Sequence, residues 1–151
     1  MTDRDFLLKA IAKAEESVTK GGFPAGAIIV KNGKIISEGI SIGKQLSDPT
    51  SHGELSCIRD ACSSIRSSDL SESTLYSSME PCIMCIGAAM WAGIEKIIYA
   101  APKEKVSPEY YGGHYKTIEI NQMFLKPLQL IHISELEEHS LKIVSEWEQG
   151  I

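Results

Sequence analysis

Hydrophobic and polar positions recur along this chain with two different periods, and each change of period marks an element. Leu7, Ala10, Ile11, Ala14 and Val18 return at helical spacing, which makes one face of an N-terminal helix apolar. Thr2 or Asp3 supplies its N-cap, and Gly21-Gly22 stops it. Ala25 to Lys31 is a short apolar run, and Lys34 to Ile40 is a second extended one, with only Asn32-Gly33 between them. An Asn-Gly connection suits the positive φ that both turn positions require, so the two runs predict an antiparallel hairpin. A polar loop from Ser41 to Ser51, carrying Asp48-Pro49, then delivers the chain to His52.

Helical spacing returns from Gly53 to Ile65, with Leu55, Ile58, Cys62 and Ile65 as the expected inner stripe. Ser63 to Ser73 reads as a surface connection, and Thr74 to Ser78 as a buried strand. A third helix is expected to start near Pro81, a residue suited to a first helical turn, and to run to Trp91 before Gly93 ends it. Glu95 to Ala100 is another buried strand, Ala101 to Lys116 a long loop, and Leu128 to Ile133 a final strand. Ser134-Glu135-Leu136-Glu137 reads as a capping box that opens a last helix, with Ile143, Val144 and Trp147 inward. This alternation, without an internal repeat, predicts a single layered α/β domain over residues 1–151.

Charge narrows the partners. The net charge is −5, and from Lys116 onward three Lys and no Arg face six Glu, which disfavours a nucleic-acid partner held through its phosphates. No apolar run approaches the roughly 18–20 residues that span a bilayer. The charged start Met1-Thr2-Asp3-Arg4-Asp5 is unlike a signal peptide, so a cytoplasmic protein without a membrane partner is the expectation. In that setting the four cysteines are not expected to pair. Cys57 and Cys62 lie on an apolar helical face and read as small buried hydrophobes, which leaves Cys82 and Cys85 for chemistry.

That chemistry is concentrated in Ser51-His52-Gly53-Glu54 and Glu80-Pro81-Cys82-Ile83-Met84-Cys85. One imidazole and two thiolates make three ligands, and catalytic zinc sites keep a fourth position open. The C-x-x-C spacing at a helix start places both sulfurs one turn apart, where the helix dipole favours thiolate. Glu54, two residues from His52, is left free to move protons. By itself C-x-x-C also fits a redox pair or a closed structural zinc site; Pro81 and the upstream H-x-E favour the open site. H-x-E with P-C-x-x-C is the signature of zinc-dependent deaminases, so Zn2+ is the expected cofactor, with Glu54 acting as base and then as acid. Backbone N–H groups near Gly53 and Cys82 are candidate substrate contacts.

From Leu7 to Tyr99 the chain resembles the cytidine deaminase-like superfamily, in the branch of bacterial guanine deaminases, fungal cytosine deaminases and tRNA adenosine deaminases. The resemblance is carried by Gly22-Phe23-Pro24-Ala25-Gly26-Ala27, Asp48-Pro49-Thr50-Ser51-His52-Gly53-Glu54 and Glu80-Pro81-Cys82 to Ala88. It implies a three-layer α/β/α fold on a five-stranded mixed sheet, a homodimer, His52, Cys82 and Cys85 as ligands, and Glu54 as proton shuttle. The candidate substrate contacts are Ser41, Gly53, Phe23 and Ala27. Two positions depart from the pattern. Ser41 stands where the family places an Asn that hydrogen-bonds the substrate ring, and a hydroxyl cannot reproduce an amide's paired geometry. Guanine deaminases carry Gly-Phe-Asp-Asp after the strand ending near Tyr99; here the stretch is Tyr110-Tyr111-Gly112-Gly113-His114-Tyr115.

The expected function is hydrolytic deamination of a small purine or pyrimidine base or nucleoside. A guanine-type substrate is slightly favoured by the likeness of Met90-Trp91-Ala92-Gly93 and Tyr99-Ala100-Ala101 to guanine deaminases. A tRNA-specific adenosine deaminase is the second reading, and a non-catalytic zinc-binding relative, supported by Ser41, the third. The Tyr110–Tyr115 aromatics read equally as a lid over a planar base or as a surface loop or dimer contact. Phe23 and Trp91 belong either to a pocket or to the core, and Trp147 to helix packing. In some members of the resembled family the C-terminus covers the active site, which is the other reading of Trp147. His132 and His139 carry no expected catalytic role, and Glu137-Glu138 reads as a solvated helix face.

Overall fold

A computed structural model describes residues 1–150. Helix α1 (Asp3–Thr19) begins at Thr2, whose hydroxyl accepts the Asp5 N–H while the Asp5 carboxylate accepts the Thr2 N–H. This reciprocal pair satisfies two donors that a helix start otherwise leaves open. The hairpin forms as the Asn-Gly turn requires: β1 (Phe23–Lys31) and β2 (Lys34–Ser41) are antiparallel, with φ of 52° at Asn32 and 73° at Gly33.

Three more strands complete the sheet: β3 (Ser73–Met79), β4 (Lys96–Ala101) and β5 (Gln129–His132), in the order β2-β1-β3-β4-β5. The β1–β3 pairing is antiparallel, whereas β3–β4 and β4–β5 are parallel, so the sheet is mixed. Strand side chains alternate between two cores. Ala27, Ile29, Leu75 and Ile97 face α3 (Gly53–Ile65) and α4 (Ile83–Ala92). Ile28, Val30, Tyr76 and Ile98 face Phe6, Leu7, Ala10 and Ile11 of α1. The result is the three-layer α/β/α arrangement on five strands.

Several expectations need correction. The buried stripe of α3 is Glu54, Cys57, Ile58 and Ala61, while Leu55 and Cys62 are half-buried and Ile65 is exposed. Short side chains on that face let α3 lie almost against the sheet: a Cβ on Gly39 would meet the Gly53 carbonyl oxygen at 2.2 Å. Helix α4 starts after Cys82, its N-cap, so Pro81 precedes the helix and is outside its first turn. No capping box forms at Ser134. Residues Ser134–Leu136 make a 3₁₀ turn, and α6 (Glu137–Glu148) starts without a side-chain cap because its N-cap is the apolar Leu136; Glu137 is turned inward to Lys105 and His132. Glu137 is therefore a buried paired acid, not part of a solvated face; Glu138 is exposed. The polar loop after β2 contains the short helix α2 (Gly43–Leu46), and the stretch before β5 contains α5 (Thr117–Gln122), neither of which the hydrophobic pattern announced. No helix of the described residues is long and apolar enough to cross a membrane.

Candidate metal centre and active site

Two strand-to-helix passages converge on one spot. Asp48 organises the first: its carboxylate accepts from the Thr50 N–H and from the Thr50 and Ser51 hydroxyls, and Arg59 donates to both hydroxyl oxygens. This fixes the turn that presents His52 as the N-cap of α3. The second passage leaves β3 at Met79 and presents Cys82 as the N-cap of α4, with Cys85 in its first turn.

His52 Nδ1 lies 3.5 Å from Cys82 Sγ and 3.7 Å from Cys85 Sγ. Zn–N and Zn–S bonds in a tetrahedral site separate nitrogen from sulfur by about 3.6 Å, so this donor set fits zinc. These three residues are the one His/Cys/Asp/Glu cluster of that kind among the described residues. Cys57 and Cys62 stand apart from it as free cysteines, and burial pushes the Cys57 thiol up to about 12. A hydrogen bond from Cys85, with His52 beside it, holds Cys82 down to about 4. The same bond and burial push Cys85 well up. Zinc binds the thiolate forms, so its binding would release any protons the pair still holds.

Glu54 is buried in the first turn of α3 beside this cluster. Burial pushes its carboxyl up, with the Cys82 charge adding to the shift. Ser77 Oγ reaches Glu54 Oε1 at 3.0 Å and the Met79 carbonyl at 2.6 Å. A hydroxyl has a single hydrogen, so the two acceptors compete for it and Glu54 is only partly compensated. Ser77 was invisible to motif reading because nothing in its local sequence points to Glu54.

A cavity of about 500 Å³ opens onto His52, Glu54 and Cys82. Ser41 and Phe23 line it, as does Ala25. Ala27 does not: it is fully buried in the core against α3. Gly53 is buried at the α3 start, packed against Ala25 and Gly26, and serves close packing. Trp91 lies outside this cavity and outside the core, being 83% exposed. Trp147 does more than pack: with Phe23 and Tyr110 it makes an edge-to-face aromatic cluster at the cavity wall, with centroids 5.0, 5.2 and 6.1 Å apart. Lys44 is the one Lys or Arg among the lining residues.

On this fold, a His/Cys/Cys cluster with a buried carboxyl beside it marks a zinc-binding region of the deaminase type. The chain belongs to the family whose model is described as the cytidine and deoxycytidylate deaminase zinc-binding region, which matches residues 1–101. It is 44% identical over 102 residues to the guanine deaminase of Bacillus subtilis, covering 67% of this chain and 65% of that protein. It is 42% identical over 100 residues to the tRNA-specific adenosine deaminase of Aquifex aeolicus, covering 66% of each. The matched stretch thus spans slightly less than two thirds of these curated relatives. A solved structure from a study of A-to-I editing by tRNA:A34 deaminases superimposes with a TM-score of 0.80 at 25% identity, over 93% of this chain and 99% of that one.

Proposed function

We propose that the chain is a single-domain hydrolytic deaminase of small aminated purine or pyrimidine bases or nucleosides, with guanine-type substrates first. The observation that carries this reading is Glu54: a buried, partly compensated carboxyl opening onto the same cavity as the His52–Cys82–Cys85 cluster. His52 Nδ1, Cys82 Sγ and Cys85 Sγ would hold zinc, which would supply the Lewis acidity that makes water a competent nucleophile at neutral pH. Glu54 takes the proton of the attacking water and passes it to a ring nitrogen of the substrate. It then takes the remaining proton of the added hydroxyl and delivers it to the amino group; the carbon–nitrogen bond breaks, the carbonyl forms and ammonia leaves. The carboxyl is buried and borders the same cavity as the cluster, which places it for this double use. Phe23, Tyr110 and Trp147 offer ring edges and faces to a planar base, and Ser41 offers a single hydroxyl.

A tRNA substrate is the second reading. It is favoured by the 42% identity to the Aquifex enzyme and opposed by the acidic C-terminal third of the chain. A homodimer is proposed through the exposed apolar side chains of Trp91 on α4 and of Met123 and Leu125 after α5, and a cytoplasmic setting is kept as the working expectation. The deciding experiment measures ammonia release by the zinc-loaded protein from guanine, cytosine, adenine, their nucleosides and tRNA. Release from a base or nucleoside that disappears in Glu54→Ala supports the first reading. Release from tRNA alone replaces it with the second, and silence on every substrate removes both.

A further inference from the structure

The segment from Tyr111 to Thr117 lies beyond the residues that the family model matches, yet it is tied to the ligand-bearing turn at three points. Tyr111 Oη donates to the Glu80 carbonyl at 2.7 Å, and Thr117 Oγ1 donates to the Pro81 carbonyl at 3.2 Å. The Ile83 N–H donates to Tyr115 Oη at 2.9 Å. From the other side, the Glu80 N–H donates to the Ala101 carbonyl at 2.8 Å. We propose that this segment is a clamp on the Glu80–Ile83 backbone, and that Tyr111, Tyr115 and Thr117 are positioning residues that set how tightly the protein keeps its zinc. The inference rests on the zinc reading of His52, Cys82 and Cys85.

A helix start leaves backbone N–H groups without intrahelical partners, and a side-chain N-cap ordinarily answers one of them. Cys82, at the N-cap of α4, makes no such bond; its sulfur is turned toward His52 and Cys85. The Tyr115 phenol answers another of these N–H groups, that of Ile83 at the first helical position, from 32 positions away in the chain. Tyr111 and Thr117 do the same for the two carbonyls that precede the helix, and both are buried. The clamp is itself braced. Lys103 Nζ lies 5.3 Å from the Tyr111 ring centroid and 4.7 Å from that of Tyr115, and it donates to the Gly113 carbonyl at 2.9 Å. The Lys103 N–H donates to Glu80 Oε1 at 3.2 Å, which closes the loop back onto the turn. Both phenolic oxygens are engaged by the backbone of the turn. Tyr110 and Tyr111 both line the cavity, so the Tyr111 ring borders the substrate space while its hydroxyl holds the turn.

Loss of a group that orients metal ligands commonly weakens metal binding by about 10–100-fold. The test is zinc affinity by competition with a chelator, together with melting of the metal-free and zinc-loaded forms. The proteins compared are the parent, Tyr115→Phe, Tyr111→Phe/Tyr115→Phe, the exposed-loop control His114→Ala, and Cys82→Ala. Tyr115→Phe should bind zinc about tenfold more weakly, the double variant more weakly still, and His114→Ala as the parent does. A double variant with parental zinc affinity overturns the clamp, even if both its forms melt earlier, because that pattern is structural support alone. Should the double variant fail to fold, Tyr115→Phe, at a half-buried residue, decides the matter by the same criterion. If Cys82→Ala keeps parental affinity, the ligand reading itself falls and the clamp with it. Weak binding in Cys82→Ala beside unchanged tyrosine variants overturns the clamp alone.

Discussion

Burial raises the proton affinity of Glu54, so the folded, metal-free protein holds this proton more tightly than the unfolded chain does. The stability this linkage provides is complete below the carboxyl's ordinary range and is lost as pH rises through the raised value. Glu54→Gln keeps the shape and removes the ionisation. Metal-free Glu54→Gln should therefore melt above the parent at pH 8, by about 2–4 °C if the gain is ~1 kcal/mol, and the gap should close toward pH 5. Equal melting at pH 8 would mean that burial costs this carboxyl nothing. Turnover in the same variant should fall at least about a hundredfold. Ser41 gives a second residue-scale test. It lines the cavity where the resembled family has an amide, so Ser41→Asn should lower KM for guanine or cytosine if the shorter side chain sets substrate choice. Unchanged kinetics on every base would remove Ser41 from recognition. At this scale the motif residues were legible because two short spacings encode them. Ser77 and Tyr115 were not, because their partners lie 23 and 32 positions away in the chain.

Among elements, α3 lies close against β2. A Cβ on Gly39 would meet the Gly53 carbonyl oxygen at 2.2 Å and the Cys57 nitrogen at 2.8 Å, and these are backbone atoms that cannot swing aside. Gly39→Ala must therefore push away the first turn of α3, which carries His52 and Glu54. The expected result is a loss of about 1–3 kcal/mol in stability together with weaker zinc binding; loss of stability with parental zinc affinity would show that the turn moves as a unit with its ligands. The elements that the sequence announced are those with local signatures: the Thr2 cap, the Asn32-Gly33 turn, and Gly93 at φ 78° closing α4. Helix α5 lacks a side-chain cap and is secured from outside, by Asn121 bonding to both the N–H and the carbonyl of Leu128. The inner stripe of α3 was misread because the sheet selects small residues there, where an apolar period alone favours large ones.

For the whole molecule, the outward side of α4 and the stretch after α5 leave Trp91, Met123 and Leu125 in solvent. Sedimentation should find a dimer in the parent and a monomer in Trp91→Glu; a monomeric parent removes the proposed assembly. The layered fold and its mixed sheet followed from the resemblance, whereas the covering of the cavity by α6 required the tertiary packing of Trp147 on Phe23. The ligands are also divided by topology. His52 and Glu54 belong to the half built on the β1–β2 hairpin, and Cys82 and Cys85 to the parallel half, with an exposed run at positions 63–69 as the covalent link between them. A protease cut in that run would leave each piece with an incomplete set of donors. Zinc retention would then become dependent on protein concentration, falling on dilution as the pieces separate. The unbroken chain is, in this sense, a tether that turns two weak partial chelators into one whose grip does not change with dilution.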